Sequence, residues 1–180
     1  MNALIGRLRD NRFTIPLAIA AIWIIADFPF FGSFLPINTG HDTVFHLYRI
    51  EGISQALSNG QFPVRMQTSQ LHGYGYPVSI MYGDISLYPI AILHLLGLSI
   101  NTGYRIFVLF LNFLTLVSTY FIGKKAFHSR SIGFAIAALW TLSSYRLEDI
   151  FLRGSVGEYT ALFFIPFLAY GIYLIFQNNN

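Results

Sequence analysis

The sequence has no cysteine, which excludes disulfides and cysteine-based zinc sites and leaves the redox compartment unreadable. Charge is scarce too: 11% of the 180 residues are Asp, Glu, Lys or Arg, against about 25% in an ordinary soluble domain. A compact soluble fold of this length would lack the charged surface that keeps it in water. A Gly-x-x-x-x-Gly-Lys-Ser/Thr phosphate loop is absent, as is a Gly-x-Ser-x-Gly nucleophile elbow, so neither a P-loop ATPase nor an α/β-hydrolase is indicated. The net charge of +3 invites a nucleic-acid reading, but the few cations flank apolar segments and form no basic stripe, so nucleic acid is excluded as a partner.

What is present is apolar. Hydrophobic residues make up 54% of the chain, with 18 Phe and 11 Tyr, and aromatic residues collect at membrane interfaces. The expected fold is all-α: a polytopic bundle of transmembrane helices in the cell membrane, in contact with membrane lipid. Crossing the hydrocarbon core takes about 20 apolar residues. Residues 13–35, 104–123, 131–145 and 160–176 are the expected spans. The first is preceded by Arg7, Arg9 and Arg12 with only Asp10 against them, which places the N-terminus in the cytoplasm. No small-x-small cleavage site closes this segment, so it reads as a retained span and not a secretory signal.

Two polar loops separate the spans, at residues 36–84 and 145–159. Residues 85–98 are apolar but short, a length more often re-entrant or interfacial than spanning. If they crossed, Lys124 and Lys125 would fall outside, against the positive-inside tendency. Four crossings plus one half-buried segment put that basic loop inside and both polar loops outside. Within the first loop, residues 42–58 read as a helix. Thr39-Gly40-His41-Asp42 fits a capping box and Asn59-Gly60 a stop.

Three clusters could carry chemistry. At 100° per residue, Asp42, His46 and Arg49 fall within about 60° of one another on the face that also holds Phe45, Ile53, Ala56 and Leu57. Ser54, Gln55, Ser58 and Glu51 lie opposite. Ionisable groups turned inward cost desolvation unless paired or used. His41 adds a further group. The plainer alternative is that Asp42 caps the helix and pairs with Arg49 or His46. Zinc held by His41, Asp42 and His46 matches no strong motif spacing. The second cluster is Gly73-Tyr74-Gly75-Tyr76-Pro77 with Tyr82-Gly83-Asp84. Flat Tyr74 and Tyr76 faces suit a sugar ring, or else an interfacial belt, and Asp84 is an acid at the membrane edge. The third is Tyr145-Arg146-Leu147-Glu148-Asp149 with Arg153-Gly154-Ser155-Val156-Gly157-Glu158. It is either a solvated connector with internal ion pairs or part of a site shared with Asp42.

Gly40-His41-Asp42, Phe45-His46-Leu47-Tyr48-Arg49-Ile50, Gly60-Gln61-Phe62-Pro63-Val64-Arg65, Gly73-Tyr74-Gly75-Tyr76-Pro77, Ser144-Tyr145-Arg146 and the 153–158 motif together resemble a family of large bacterial polytopic membrane proteins labelled pyruvoyl-tetrahydropterin synthase-related. The likeness covers roughly residues 13–176, and nothing in it reproduces the soluble pterin synthase's histidine zinc site. The chain is more loosely similar to membrane glycosyltransferases of the GT-C class, in which a long external loop opening on an acid follows the first span. His41-Asp42 stands where that class often has two acids. That similarity implies a polyprenyl-phosphate-linked sugar as donor, Asp42 as base or as ligand of a divalent cation, with His41 and His46 beside it. It also implies Arg49, Arg65, Arg146 and Arg153 as candidate holders of the donor phosphate, because the planar guanidinium offers paired donors. Tyr74, Tyr76, Asp84, Asp149 and Glu158 complete the expected substrate contacts. Such proteins carry many more spans, so the chain reads as the N-terminal part of a longer protein. The alternatives are a non-catalytic assembly partner or transport subunit for envelope polymers, or an inactive fragment. Transport ranks lower because the spans, apart from Asp27, are nearly free of ionisable groups.

Overall fold

A computed structural model describes residues 14–31 and 40–178. Among the described residues the fold is all-helical, with a single isolated β-bridge between Gln67 and Tyr76. The helices are α1 (Thr14–Ala26), α2 (Thr43–Ser58), α3 (Val78–Met81), α4 (Tyr88–Leu95), α5 (Ile100–Phe127), α6 (Arg130–Thr141), α7 (Ser144–Glu148) and α8 (Val156–Asn178). A 3₁₀ turn follows α1 at Phe28–Phe30, another covers Leu71–Gly73, and a π-helical turn at Asp149–Arg153 follows α7.

Two helices are long and apolar enough to cross a membrane: Ile100–Phe127 and Val156–Gln177. At 1.5 Å per residue the 28-residue α5 is about 42 Å long and is the axis of the molecule. Its buried positions, Tyr104, Val108, Leu111, Asn112, Thr115, Leu116, Thr119, Tyr120 and Gly123, recur every three or four residues, the stripe that a helix presents to a core. Ser99 starts it by accepting from the Thr102 amide at 3.1 Å. His128, left-handed at φ 51°, ends it.

The other two expected spans are not single long helices. α1 has 13 residues and α6 has 12, about 20 and 18 Å, short of a hydrocarbon core of about 30 Å. Residues 13 and 32–35 of the expected first span, residues 36–39 of the expected loop with Thr39 of its capping box, and the arginines before α1 lie outside the described residues. The segment expected as one helix over 131–145 breaks at Ser143, whose ψ of 134° is extended. Restarting there lets the Arg146 side chain reach inward to Asn112 and Thr115 on α5. Lys124 and Lys125 sit in the last turn of α5, not in a loop, where cations complement the helix dipole. The turn that follows is only His128-Ser129, so α6 folds straight back. A Cβ on Gly133 would stand 2.6 Å from the Lys124 nitrogen and 2.8 Å from the Tyr120 carbonyl oxygen, so the α5 and α6 backbones touch.

The apolar core has two parts. One surrounds the N-terminal half of α5 and unites Ile50 and Ile53 of α2, Leu87, Ile90 and Ala91 around α4, and Val156 and Tyr159 of α8. The other packs Leu116, Tyr120 and Ala137 against Ile15, Ile19, Ile22 and Trp23 of α1. Trp23 also donates its indole N–H to the Leu109 carbonyl at 2.9 Å. The 85–98 segment forms α4, about 12 Å long, packed on α2 and α5. Ser54 was expected on the polar face of α2 but is buried, donating to Ile50 O at 2.8 Å. α4 closes that side of the helix, so the apolar face is wider than 100° spacing alone implies. α8 packs far less than α5: 11% of its apolar stretch is buried, against 44% for α5.

Candidate functional site

The two polar loops meet at one end of α5. The carbonyls that close the π-helical turn lack an intrahelical partner, and the amides before α2 lack an acceptor; each supplies the other. His41 N donates to Leu152 O at 3.1 Å and Asp42 N to Arg153 O at 2.8 Å. Ser155 Oγ donates to Asp42 Oδ2 at 3.2 Å. The approach is close enough to require glycine on both sides. A Cβ on Gly154, at φ +67°, would lie 1.9 Å from Thr43 Oγ1, and one on Gly40 would lie 2.1 Å from the same atom. Asp42 is the N-cap of α2 by position, yet its carboxylate caps nothing. Its carboxylate turns to Ser155 of the other loop, and it pairs with neither Arg49 nor His46 in a salt bridge.

Behind Asp42 stands a charge relay. Arg153 reaches Asp149 Oδ1 at 3.2 Å and Glu158 Oε2 at 2.8 Å. Glu158 also accepts from the Tyr145 hydroxyl. Those two hydrogen bonds, from Tyr145 and then Arg153, hold the Glu158 carboxyl below its usual range. Asp149 is fully buried and neither of its oxygens accepts a hydrogen bond. Burial first, then the nearby Glu158 charge, pushes its carboxyl up to about 6.

Arg49 was expected to hold a phosphate. It is instead consumed by the protein: at 1% exposure it pairs with Asp84 and donates to the carbonyls of Tyr82 and Gly83, both at 3.1 Å. Its guanidinium lies 4.5 Å from the Tyr82 ring centroid and 5.4 Å from that of Phe45. Arg49 thus pins the segment before α4 onto α2, and Asp84 is its counter-ion. A buried guanidinium needs several acceptors at once, and this segment supplies three. His46 accepts from Arg49 at 3.3 Å through Nδ1. Burial first, then the Arg49 charge, holds its imidazole down to about 4, so it is neutral at pH 7 with Nε2 unpartnered.

Arg146 is likewise buried, donating to Asn112 Oδ1 at 2.6 Å and Thr115 Oγ1 at 3.1 Å, while Asn112 donates to Asp27 at 2.6 Å. Its Nε and Nη1 have no partner. Arg65 is exposed and in no ion pair among the described residues. Tyr74 is 91% exposed at the tip of a turn between Gly73 and Gly75, both at positive φ, and Tyr76 pairs its backbone with Gln67. The structure therefore brings together Asp42, His41, Asp149, Arg153 and Glu158. It sets Arg49, His46 and Asp84 in an adjoining buried cluster, and leaves Arg65, Tyr74 and Tyr76 apart. Ser155 and Tyr82 belong to the motifs the sequence offered, but no feature of the chain assigned either a role of its own. A Cβ on Gly157 would sit 3.5 Å from Tyr82 Oη, so Tyr82 also bridges the loops. Among the described residues no group of three or more His, Asp and Glu is arranged to hold a metal ion.

His46 and Asp149 give stability opposite pH slopes. Asp149 binds its proton more readily folded than unfolded, so between about pH 4 and 6 its contribution falls as pH rises. His46 binds its proton less readily folded than unfolded, so from about pH 4 to 6.5 its contribution rises with pH. Asp149→Asn should gain stability relative to the parent by about 1–2 kcal/mol between pH 4 and 7, allowing for solvent screening at the open side of the loop. His46→Gln should lose over the same range. Thermal unfolding in detergent at four pH values measures both, and slopes of equal sign would refute the assignment.

No family model and no solved structure matches the chain. It is 25% identical over 177 residues to an uncharacterized protein of Lactococcus lactis subsp. cremoris (strain MG1363). The alignment takes in 96% of this chain and 28% of that protein, so the chain spans less than a third of the relative's length.

Proposed function

We propose that the chain is the N-terminal module of a GT-C-like membrane glycosyltransferase, related to the bacterial family it resembles, that uses a polyprenyl-phosphate-linked sugar at the outer membrane face. In this reading the membrane is crossed four times with the N-terminus cytoplasmic. α5 and α8 cross as single helices. α1 with its 3₁₀ turn, and α6 with α7, make compound crossings. A broken helix is tolerated at membrane depth where protein covers it, and the Asn112–Arg146–Asp27 network covers the break at Ser143.

The observation that supports this most is the meeting of Asp42 with the Arg153 loop through Ser155. Asp42 takes the proton of an acceptor hydroxyl, whose oxygen then attacks the anomeric carbon. The bond from that carbon to the phosphate oxygen breaks, and the phosphate leaves with the electron pair. Arg153 has five N–H donors and two ion pairs, which leaves donors to balance the departing charge. Tyr145 and Glu158 fix its plane. Asp42→Asn in the full-length protein should lower surface glycan at least about fivefold at unchanged protein level, a barrier change of about 1 kcal/mol or more. Unchanged glycan would favour a second reading, a non-catalytic assembly partner, which rests on the apolar face that α8 leaves uncovered.

A further inference from the structure

At the end of α5 opposite Asp42, a basic recess adjoins an apolar groove. The recess, about 500 Å³, is bounded by Phe121, Lys124, Lys125, His128 and Arg130. The groove, about 530 Å³, runs between α1 and α5 from Lys124 and Arg130 to Trp23 and Phe113. Phe121, Lys124 and Arg130 line both, so the two spaces adjoin. Each lies in the range of about 300–1,000 Å³ typical of small-molecule sites.

Charge and length identify the occupant. None of Lys124, Lys125 and Arg130 pairs with an acid among the described residues, and the acids of both polar loops lie at the other end of α5. The recess therefore calls for an anion. The chain's own first twelve residues carry three arginines against one aspartate, the wrong sign to fill it. From Phe113 to Lys124 is eleven residues, about 16 Å of helix, close to half of a hydrocarbon core of about 30 Å. The groove thus has the depth of one leaflet. It is dry-walled by Ile15, Ile19 and Val117, with cations only at its mouth.

We infer that this recess and groove form a site for one anionic phospholipid, its phosphate among Lys124, Lys125 and Arg130 and one acyl chain between α1 and α5. Juxtamembrane cations attract anionic headgroups. Here the groove adds what a diffuse basic patch lacks, a fixed place for the chain. The site requires α1 and α5 to lie in a bilayer but does not depend on any glycosyl-transfer activity.

The test is native mass spectrometry of the full chain in detergent, titrated with phosphatidylglycerol and, separately, phosphatidylcholine. One phosphatidylglycerol should be retained in preference to phosphatidylcholine, and millimolar inorganic phosphate should not displace it. Lys124→Gln with Arg130→Gln should weaken retention about 30-fold. Ala20→Trp, on the exposed side of α1 and directed at the groove, should weaken it comparably with every cation in place. Equal retention of the two lipids, displacement by free phosphate, or an Ala20→Trp variant that binds normally would each overturn the site. Helicity by circular dichroism verifies that the variants are folded.

Discussion

Replacing Asp84 by Asn is expected to cost about 3–5 kcal/mol, the largest single loss we anticipate from a polar substitution in this chain. Arg49 cannot shed its proton, and its side chain and that of Asp84 are only 1% and 6% exposed. Without the carboxylate the cation keeps two carbonyl acceptors, from Tyr82 and Gly83, and two ring faces, but no counter-charge. Arg49→Met leaves the opposite defect, a buried acid without its cation. The double variant should cost less than the sum of the two, by about 2 kcal/mol or more, because both charges are then gone. Unfolding of the parent, the two single variants and the double variant in detergent yields these quantities. A loss under about 1 kcal/mol for Asp84→Asn would mean that water reaches the pair, since exposed ion pairs contribute no more than that. In a fold stabilised by about 5–15 kcal/mol, the predicted loss releases the segment before α4 from α2, and with it Tyr82.

The limits of sequence reading follow from these contacts. Periodicity placed Arg49 and His46 on the buried face of α2 because helical spacing is local, and both are buried. Which partner Arg49 takes is not local: Asp84 is 35 residues away. The same holds for Asp42, whose capping position was visible in the chain, while its engagement by Ser155 across 113 residues was not. Nothing about Ser155 distinguishes it from a solvated loop serine except its place between two glycines and two charges. The two long apolar helices, α5 and α8, fall on the spans expected at 104–123 and 160–176. α1 and α6 did not resolve as single full-length spans, because a broken helix and a continuous one have the same mean hydropathy. The signal for the break lies in Ser143-Ser144 followed by Arg146, a cation that needs α5 rather than lipid.

The contact that unites the two loops can itself be tested at Gly154. Gly154→Ala is expected to destabilise by about 3 kcal/mol, from two separable sources. A left-handed backbone costs an L-residue about 1–2 kcal/mol, and Gly154 sits at φ +67°. The remainder is steric, because the new Cβ would fall 1.9 Å from Thr43 Oγ1 and 3.2 Å from Thr43 Cα, and overpacking of a tight site costs about 1–3 kcal/mol. Gly60 supplies the control: its φ is +77°, but a Cβ there meets nothing within 4 Å. Gly60→Ala should therefore cost only the backbone part, about 1 kcal/mol. Combining Gly154→Ala with Thr43→Ala removes the nearest atom and should narrow the gap between the two sites. If Gly154→Ala and Gly60→Ala prove equally costly, Thr43 and Gly154 are not in contact, and the docking of Asp42 on the 149–158 segment is lost with them. If the gap appears and closes with Thr43→Ala, the N-terminus of α2 is seated on the π-helical turn. Asp42 then owes its position to the second loop as much as to its own helix.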